Sequence, residues 1–250
     1  MSQGTSRKVM LSVNVDHIAT LREARGAPYP DPVEAAKIAE DAGAGGITVH
    51  LRGDRRHIQD HDVRRLRPVV RGTFNLEIAT EIDRLDLAVE LRPDQVTLVP
   101  ERPDEVTTEG GLDMLHGHTV VKAASERLHA AGIRVSIFLD PDLEQLEAMA
   151  RIERELVPGF EINTDAYTKA TLGSDQALID AELDKVRRVA ARGQELGYRV
   201  YAGHGLTTDN VGPIARTEPI EELNIGHFLV SRAAIVGMRQ AVEEMLAAMA

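Results

Sequence analysis

Cysteine and tryptophan are both absent from the 250 residues. Without thiols there is no disulfide framework, no thiolate metal site and no thiol nucleophile. Aromatic residues make up 3% of the chain, too few for a platform on which bases could stack. Long hydrophobic runs are also missing. The first sixteen residues pass from a polar tail (1–8) into an apolar segment too short for a signal peptide or a membrane span. The chain carries 29 Lys and Arg against 40 Asp and Glu, a net charge of −11. That balance argues against nucleic acid or a membrane surface as partner, while leaving room for local cationic groups that hold phosphates. A cytoplasmic protein is expected.

Apolar residues at 43% and charged residues at 28% allow a sizeable core, and the length suits one domain over 1–250. Eight short runs rich in Val, Ile, Leu and Thr, at 9–16, 46–51, 73–79, 95–100, 134–140, 160–164, 199–204 and 222–226, have the length of buried parallel strands. Amphipathic helices fall between them. Asp31 caps one that opens on Pro32, buries Ala35, Ile38, Ala39 and Ala42, and ends at Gly43. Val63, Leu66 and Val70 mark the next, Leu85, Ala88 and Val89 another. A single last helix carries Ile235, Met238, Val242, Met245 and Met249. Strict strand–helix alternation predicts right-handed β/α units and a parallel sheet. Eight units in this length fit a single (β/α)8 TIM barrel with extra helices, an open doubly wound sheet being the alternative. Two connections are long. The stretch 101–118 reads as a candidate lid, 165–174 as a loop, and the helical stretch 175–196 exceeds what a barrel helix needs.

Barrel active sites sit at the carboxyl ends of the strands. There the sequence places Asn14, Asp16 and His17; His50, Arg52 and His57; Asn75 and Glu77; Glu161 and Asn163; Gly203, His204 and Gly205; and Asn224, Gly226 and His227. Five of the nine histidines fall in this set. Each alone could be a solvated loop residue; together they mark one face. Glu77 sits inside an apolar run, so its carboxylate is either an acid/base group or half of a structural ion pair, and Glu161 carries the same ambiguity. The glycines after strands seven and eight leave backbone N–H groups open to a phosphate, or simply make tight turns. Arg52 is a candidate anion ligand, with Arg55 and Arg56 undecided. No strand interior holds a lysine, which disfavours a Schiff-base aldolase. A metal hydrolase using Asp16, His17, His50 and His204 is not signalled by any ligand spacing.

The segments Asn14 to Arg22, Arg25-Gly26, Gly46 to Arg52, Asp54 to Ile58, Asn75-Leu76-Glu77, Leu98 to Glu101, Glu105 to Asp113, Ala202 to Thr207 and Glu222 to His227 closely resemble the pyridoxine 5′-phosphate synthase family, over a match that runs from about Met10 to the final helix. The resemblance implies a transferase of vitamin B6 biosynthesis. It would condense 1-deoxy-D-xylulose 5-phosphate with 3-amino-2-oxopropyl phosphate, without metal or organic cofactor, as a homo-octamer. It implies His50 and Glu77 as acid/base residues, His204 as a proton donor and Glu161 as a stabiliser of charged intermediates. Asn14, Arg25, Gly205, Gly226 and His227 would bind the amino-ketone phosphate, and Asp16, His17, Arg52, His57 and Thr107 the sugar phosphate. Asn163 departs from the family pattern, which has His there. Competing readings are another phosphate-handling barrel, such as an isomerase or epimerase with one phosphate site, and a barrel that binds without turnover.

Overall fold

The computed structural model describes residues 9–101, 108 and 110–250. Eight parallel strands, β1 (Met10–Asn14), β2 (Gly46–His50), β3 (Thr73–Ile78), β4 (Gln95–Leu98), β5 (Arg134–Leu139), β6 (Gly159–Asn163), β7 (Arg199–Gly203) and β8 (Ile220–Ile225), close into a barrel in sequence order. The described helices are α1 (Asp16–Glu23), α2 (Pro32–Asp41), α3 (Asp60–Leu66), α4 (Ile82–Leu91), α5 (Met114–Ala130), α6 (Leu143–Met149), α7 (Asp165–Thr171), α8 (Gln176–Glu195), α9 (Val211–Ala215), α10 (His227–Val236) and α11 (Met238–Ala248). The closed barrel excludes the open doubly wound sheet. No described helix is long and apolar enough to cross a membrane.

Side chains alternate across each strand. Leu11, Val13, Ile47, Val49, Phe74, Leu76, Val96, Ile137, Phe160, Ile162, Val200 and Leu223 join the apolar core under the helices. The alternate positions turn inward and are polar: Ser12, Thr48, Asn75, Thr97, Ser136, Glu161, Glu222 and Asn224, all buried. Most of the fold's hydrophobic stabilisation therefore lies between the barrel wall and the helices, and the interior is left for polar work.

Several boundaries differ from expectation. Strand one stops at Asn14, because the Asn14 Oδ1 accepts the Asp16 N–H at 2.8 Å and turns the chain into α1. The stretch expected as a loop after strand six contains α7. A seven-residue helix is marginal alone; this one is held by the buried Tyr167, whose hydroxyl donates to the Asn210 carbonyl at 2.9 Å. The expected single last helix is two, divided at Gly237 with φ +86°. Ile235 consequently belongs to α10 and is 79% exposed, whereas Met238, Val242 and Met245 are buried in α11. Val70 falls beyond α3, which ends at Leu66. Residues 102–107 and 109 of the candidate lid lie outside the described residues, and its far end, from Met114, begins α5.

One buried ion pair fixes the loop after β2 against α1. Arg22 donates from Nη1 and Nη2 to the two carboxylate oxygens of Asp62, both at 2.6 Å, and Nη2 also reaches the His57 carbonyl at 3.2 Å. Asp62 in turn accepts the Gln59 N–H at the start of α3. Removing one partner of such a pair strands the other charge without water. Asp62→Leu is therefore expected to lower unfolding stability by about 3–5 kcal/mol in urea titration, and a loss below about 1 kcal/mol would show that the pair carries no such burden.

Candidate active site

The carboxyl ends of the strands surround a cavity of about 470 Å³. It is lined by Asn14, Asp16, His17, His50, Arg52, His57, Glu77, Glu161, His204, Gly205, Gly226 and His227, so twelve of the fourteen residues expected at the site meet in one place. Arg25 does not reach this cavity: it is exposed on the turn beyond the end of α1. Thr107 lies outside the described residues, and its neighbour Thr108 lines the cavity. Thr20, Arg56, Val99, Phe138 and Asn224 complete the lining.

Asp16 organises the near side. One carboxylate oxygen accepts the His50 N–H at 2.8 Å and the other accepts from Asn14 Nδ2 at 2.8 Å. His50 Nε2 lies 3.2 Å from Glu101 Oε1. Burial pushes Glu101 up, but His50, the Gly53 N–H and Arg84 outweigh it and hold the carboxyl below its ordinary range. An ionised Glu101 can only accept, so Nε2 of His50 carries the proton, and base and orienting carboxylate are aligned. His57 is fixed differently: its Nδ1 accepts the Ile58 N–H at 2.8 Å. Burial, with His50 and Arg52 nearby, lowers its proton affinity against the pull of Asp16. The ring is then neutral, with an Nε2–H to offer an anion. His17 is lowered chiefly by burial and packs edge-on against His227 at 4.9 Å between centroids.

Two carboxyls, Glu77 on β3 and Glu161 on β6, also line the cavity. Burial, Glu161 and Asp16 push the Glu77 carboxyl well above its ordinary range. Glu161 is raised by burial and by Glu222, against a hydrogen bond from Asn224. With Glu161 pushed up to about 8 and Glu77 also well above its ordinary range, each carboxyl favours its protonated form near neutral pH. The strand glycine beside them is sterically required, since a Cβ on Gly203 would lie 2.3 Å from Glu161 Oε1. His204 follows at φ +84°, with Nε2 at 4.0 Å from Asp165. Gly205, at φ +77°, leaves no room for a Cβ beside Thr168 Oγ1, and Gly226 caps α10 against Asn14. Asn163 donates to Asp140 at 2.9 Å and accepts the Asp165 N–H at 3.0 Å, tying β6 to α7.

Asp16, His50 and Glu77 offer ligand atoms within 4.8 Å of one another. Both Asp16 oxygens are already engaged by His50 and Asn14.

Fold and cavity together define a β/α-barrel enzyme with acid/base groups at the carboxyl ends of its strands. The solved KGPDC from Streptococcus mutans shares the fold alone, with a TM-score of 0.63 over 97% of each chain at 12% identity. The chain belongs to the family described as pyridoxal phosphate biosynthesis protein PdxJ, whose model matches residues 11–250. The pyridoxine 5′-phosphate synthase of Synechococcus sp. (strain JA-2-3B'a(2-13)) is 52% identical over 96% of this chain and 98% of that protein. That of Syntrophotalea carbinolica is 49% identical over 94% and 96%.

Glu222, facing inward below the cavity, supplies a test of these electrostatics. Burial, with Glu221 adding and Arg134 and Arg199 opposing, raises it to about 7 from 4.5. The folded protein holds this proton to higher pH than the unfolded chain does. Its contribution to stability is full below 4.5 and is lost as pH rises to about 7. In denaturant titrations across that window, the stability of the wild type relative to Glu222→Gln should decline as pH rises; a constant difference would contradict the assignment.

Proposed function

We propose that the chain is a pyridoxine 5′-phosphate synthase, joining 1-deoxy-D-xylulose 5-phosphate to 3-amino-2-oxopropyl phosphate with release of phosphate and water. The observation that carries this reading is the meeting of His50, Glu77, Glu161 and His204 in one cavity between two groups suited to anions. Arg52, His57 and His17 form the first, with Asp16 beside them. The second is Gly205, Gly226 and His227, with Asn14, where the N-terminus of α10 presents backbone N–H groups. Two anion sites suit two phosphorylated substrates; an isomerase or epimerase needs one.

Ring closure between an amine and two carbonyl compounds requires imine formation, enolisation, dehydration and loss of phosphate. Each step moves a proton, so several acid/base groups must share one pocket. Glu77, protonated near neutral pH, gives a proton to a departing hydroxyl or takes one in enolisation, and His50, oriented by Glu101, works beside it. His204 donates from the opposite side, and the Glu161 carboxylate faces positive charge that develops on an imine nitrogen. These groups account for the proton transfers without a metal or organic cofactor, His50 and Glu77 acting as organic acids and bases and Asp16 as a substrate ligand. The enzyme works in the cytoplasm as a homo-octamer, with the exposed Leu172 and Leu178 at the junction of α7 and α8 available for burial between subunits. Static light scattering is expected to give a mass well above the 27.3 kDa of one chain; a stable monomer at micromolar concentration would remove the octamer.

The decisive assay mixes the two phosphorylated substrates with chelator-treated protein and follows pyridoxine 5′-phosphate. Product is expected without added metal. Glu77→Gln, which keeps shape and loses proton transfer, should cut kcat by about 10²–10⁴-fold with KM and melting temperature little changed. Absence of product from the wild type, or full turnover by the folded variant, would defeat the respective assignment.

A further inference from the structure

Asn224 has no part in the chemistry above, yet it touches Glu161. It is buried on the inner face of β8, and its Nδ2 donates to Glu161 Oε2 at 2.6 Å, a short contact of the kind made to a charged acceptor. Its Oδ1 accepts from Thr48 Oγ1 at 2.9 Å. Thr48 has one hydroxyl proton and spends it there, so the Ser12 hydroxyl, 2.8 Å away, donates to Thr48. Asn75 Nδ2 lies 3.4 Å from the same oxygen, and Asn75 Oδ1 accepts from Thr97 at 3.0 Å. Donors thus point one way, from β4 through β3, β2 and β8 towards β6. With its carbonyl taken by Thr48, Asn224 can present only its NH₂ group to Glu161.

Among the described residues, no hydrogen bond reaches the Glu77 carboxyl, although Glu161 and Asp16 act on it electrostatically. From this asymmetry we infer that Asn224 is a positioning residue: oriented by the hydrogen-bond chain through Thr48, it makes Glu161 the first of the pair to ionise and leaves Glu77 the last to give up its proton. The other titratable groups around Glu161 are Glu77 from β3, Tyr201 beside it on β7, Glu222 from β8, and Asp16, His50 and His204 around the mouth; β5 and the residue after β4 bring the uncharged Phe138 and Val99. Burial and Glu222 favour a protonated Glu161, and the amide of Asn224 opposes them. Glu77 is then the acid of the pair and Glu161 the member that yields a carboxylate first.

The bearing of this on catalysis rests on the synthase reading; the placement of the proton does not, and the test separates them. Protein labelled with ¹³C at glutamate side-chain carboxyls is titrated without substrate, the Glu161 resonance being assigned with Glu161→Gln. In Asn224→Leu the Glu161 midpoint is expected to move to higher pH. Thr48→Val keeps Asn224 but frees its amide to turn, and should move the midpoint the same way by less. In the substrate assay both variants should lose kcat with little change in KM. Midpoints that stay in place while only melting temperatures fall would overturn the inference. Should Asn224→Leu not fold, Thr48→Val alone decides. A wild type that makes no product would defeat the synthase reading and leave the titration result standing.

Discussion

Two carboxyl groups lining one cavity, Glu77 half-buried and Glu161 buried, impose most of what is unusual about this barrel. Burial and mutual repulsion mean that Glu77 and Glu161 cannot both be charged at neutral pH. The interior beneath them must be polar and must supply donors, because an unmatched charge there costs far more than an apolar filling would. Ser12, Thr48, Asn75, Thr97 and Asn224 meet that demand. The apolar core has accordingly moved outward, between strands and helices, where Leu11, Phe74, Phe160 and their neighbours are sealed from solvent.

Around this pair the histidines are set by backbone and carboxylate contacts rather than by each other. Asp16 holds the His50 backbone, Glu101 its ring, and Ile58 N–H the ring of His57. The Arg22–Asp62 pair reaches the carbonyl of His57 from beneath. The imidazoles of His50 and His57 therefore each have one nitrogen occupied by the scaffold. Such fixing of geometry and tautomer before substrate arrives is what makes acid/base catalysis efficient.

The strands were legible because their outer faces are buried and carry Val, Ile, Leu and Phe in short runs, and their polar carboxyl ends pointed to the cavity. What stayed hidden depends on distant neighbours. α7 looked like a loop because its stability comes from Tyr167 meeting Asn210, forty-three positions away. The break at Gly237 was masked by an apolar periodicity that continues across it from Ile235 to Met249. Asn224 was noticed only as a strand-end residue. Its bond to Glu161 joins β8 to β6 across β7, a relation set by the register of the closed sheet. Glu101 likewise became informative only once the chain after β4 lay beside His50.

The two-sided character of the strands also shapes how the sequence can drift. Along β3, Phe74, Leu76 and Ile78 answer to packing, while Asn75 answers to hydrogen bonding and Glu77 to the electrostatics of the cavity. Adjacent codons thus serve separate masters. An outer position tolerates exchange among aliphatics of similar volume, whereas its immediate neighbour admits almost no substitute that preserves donor, acceptor and size. Thermal hardening and altered chemistry can for that reason be sought independently in one strand, by working on odd or on even positions alone.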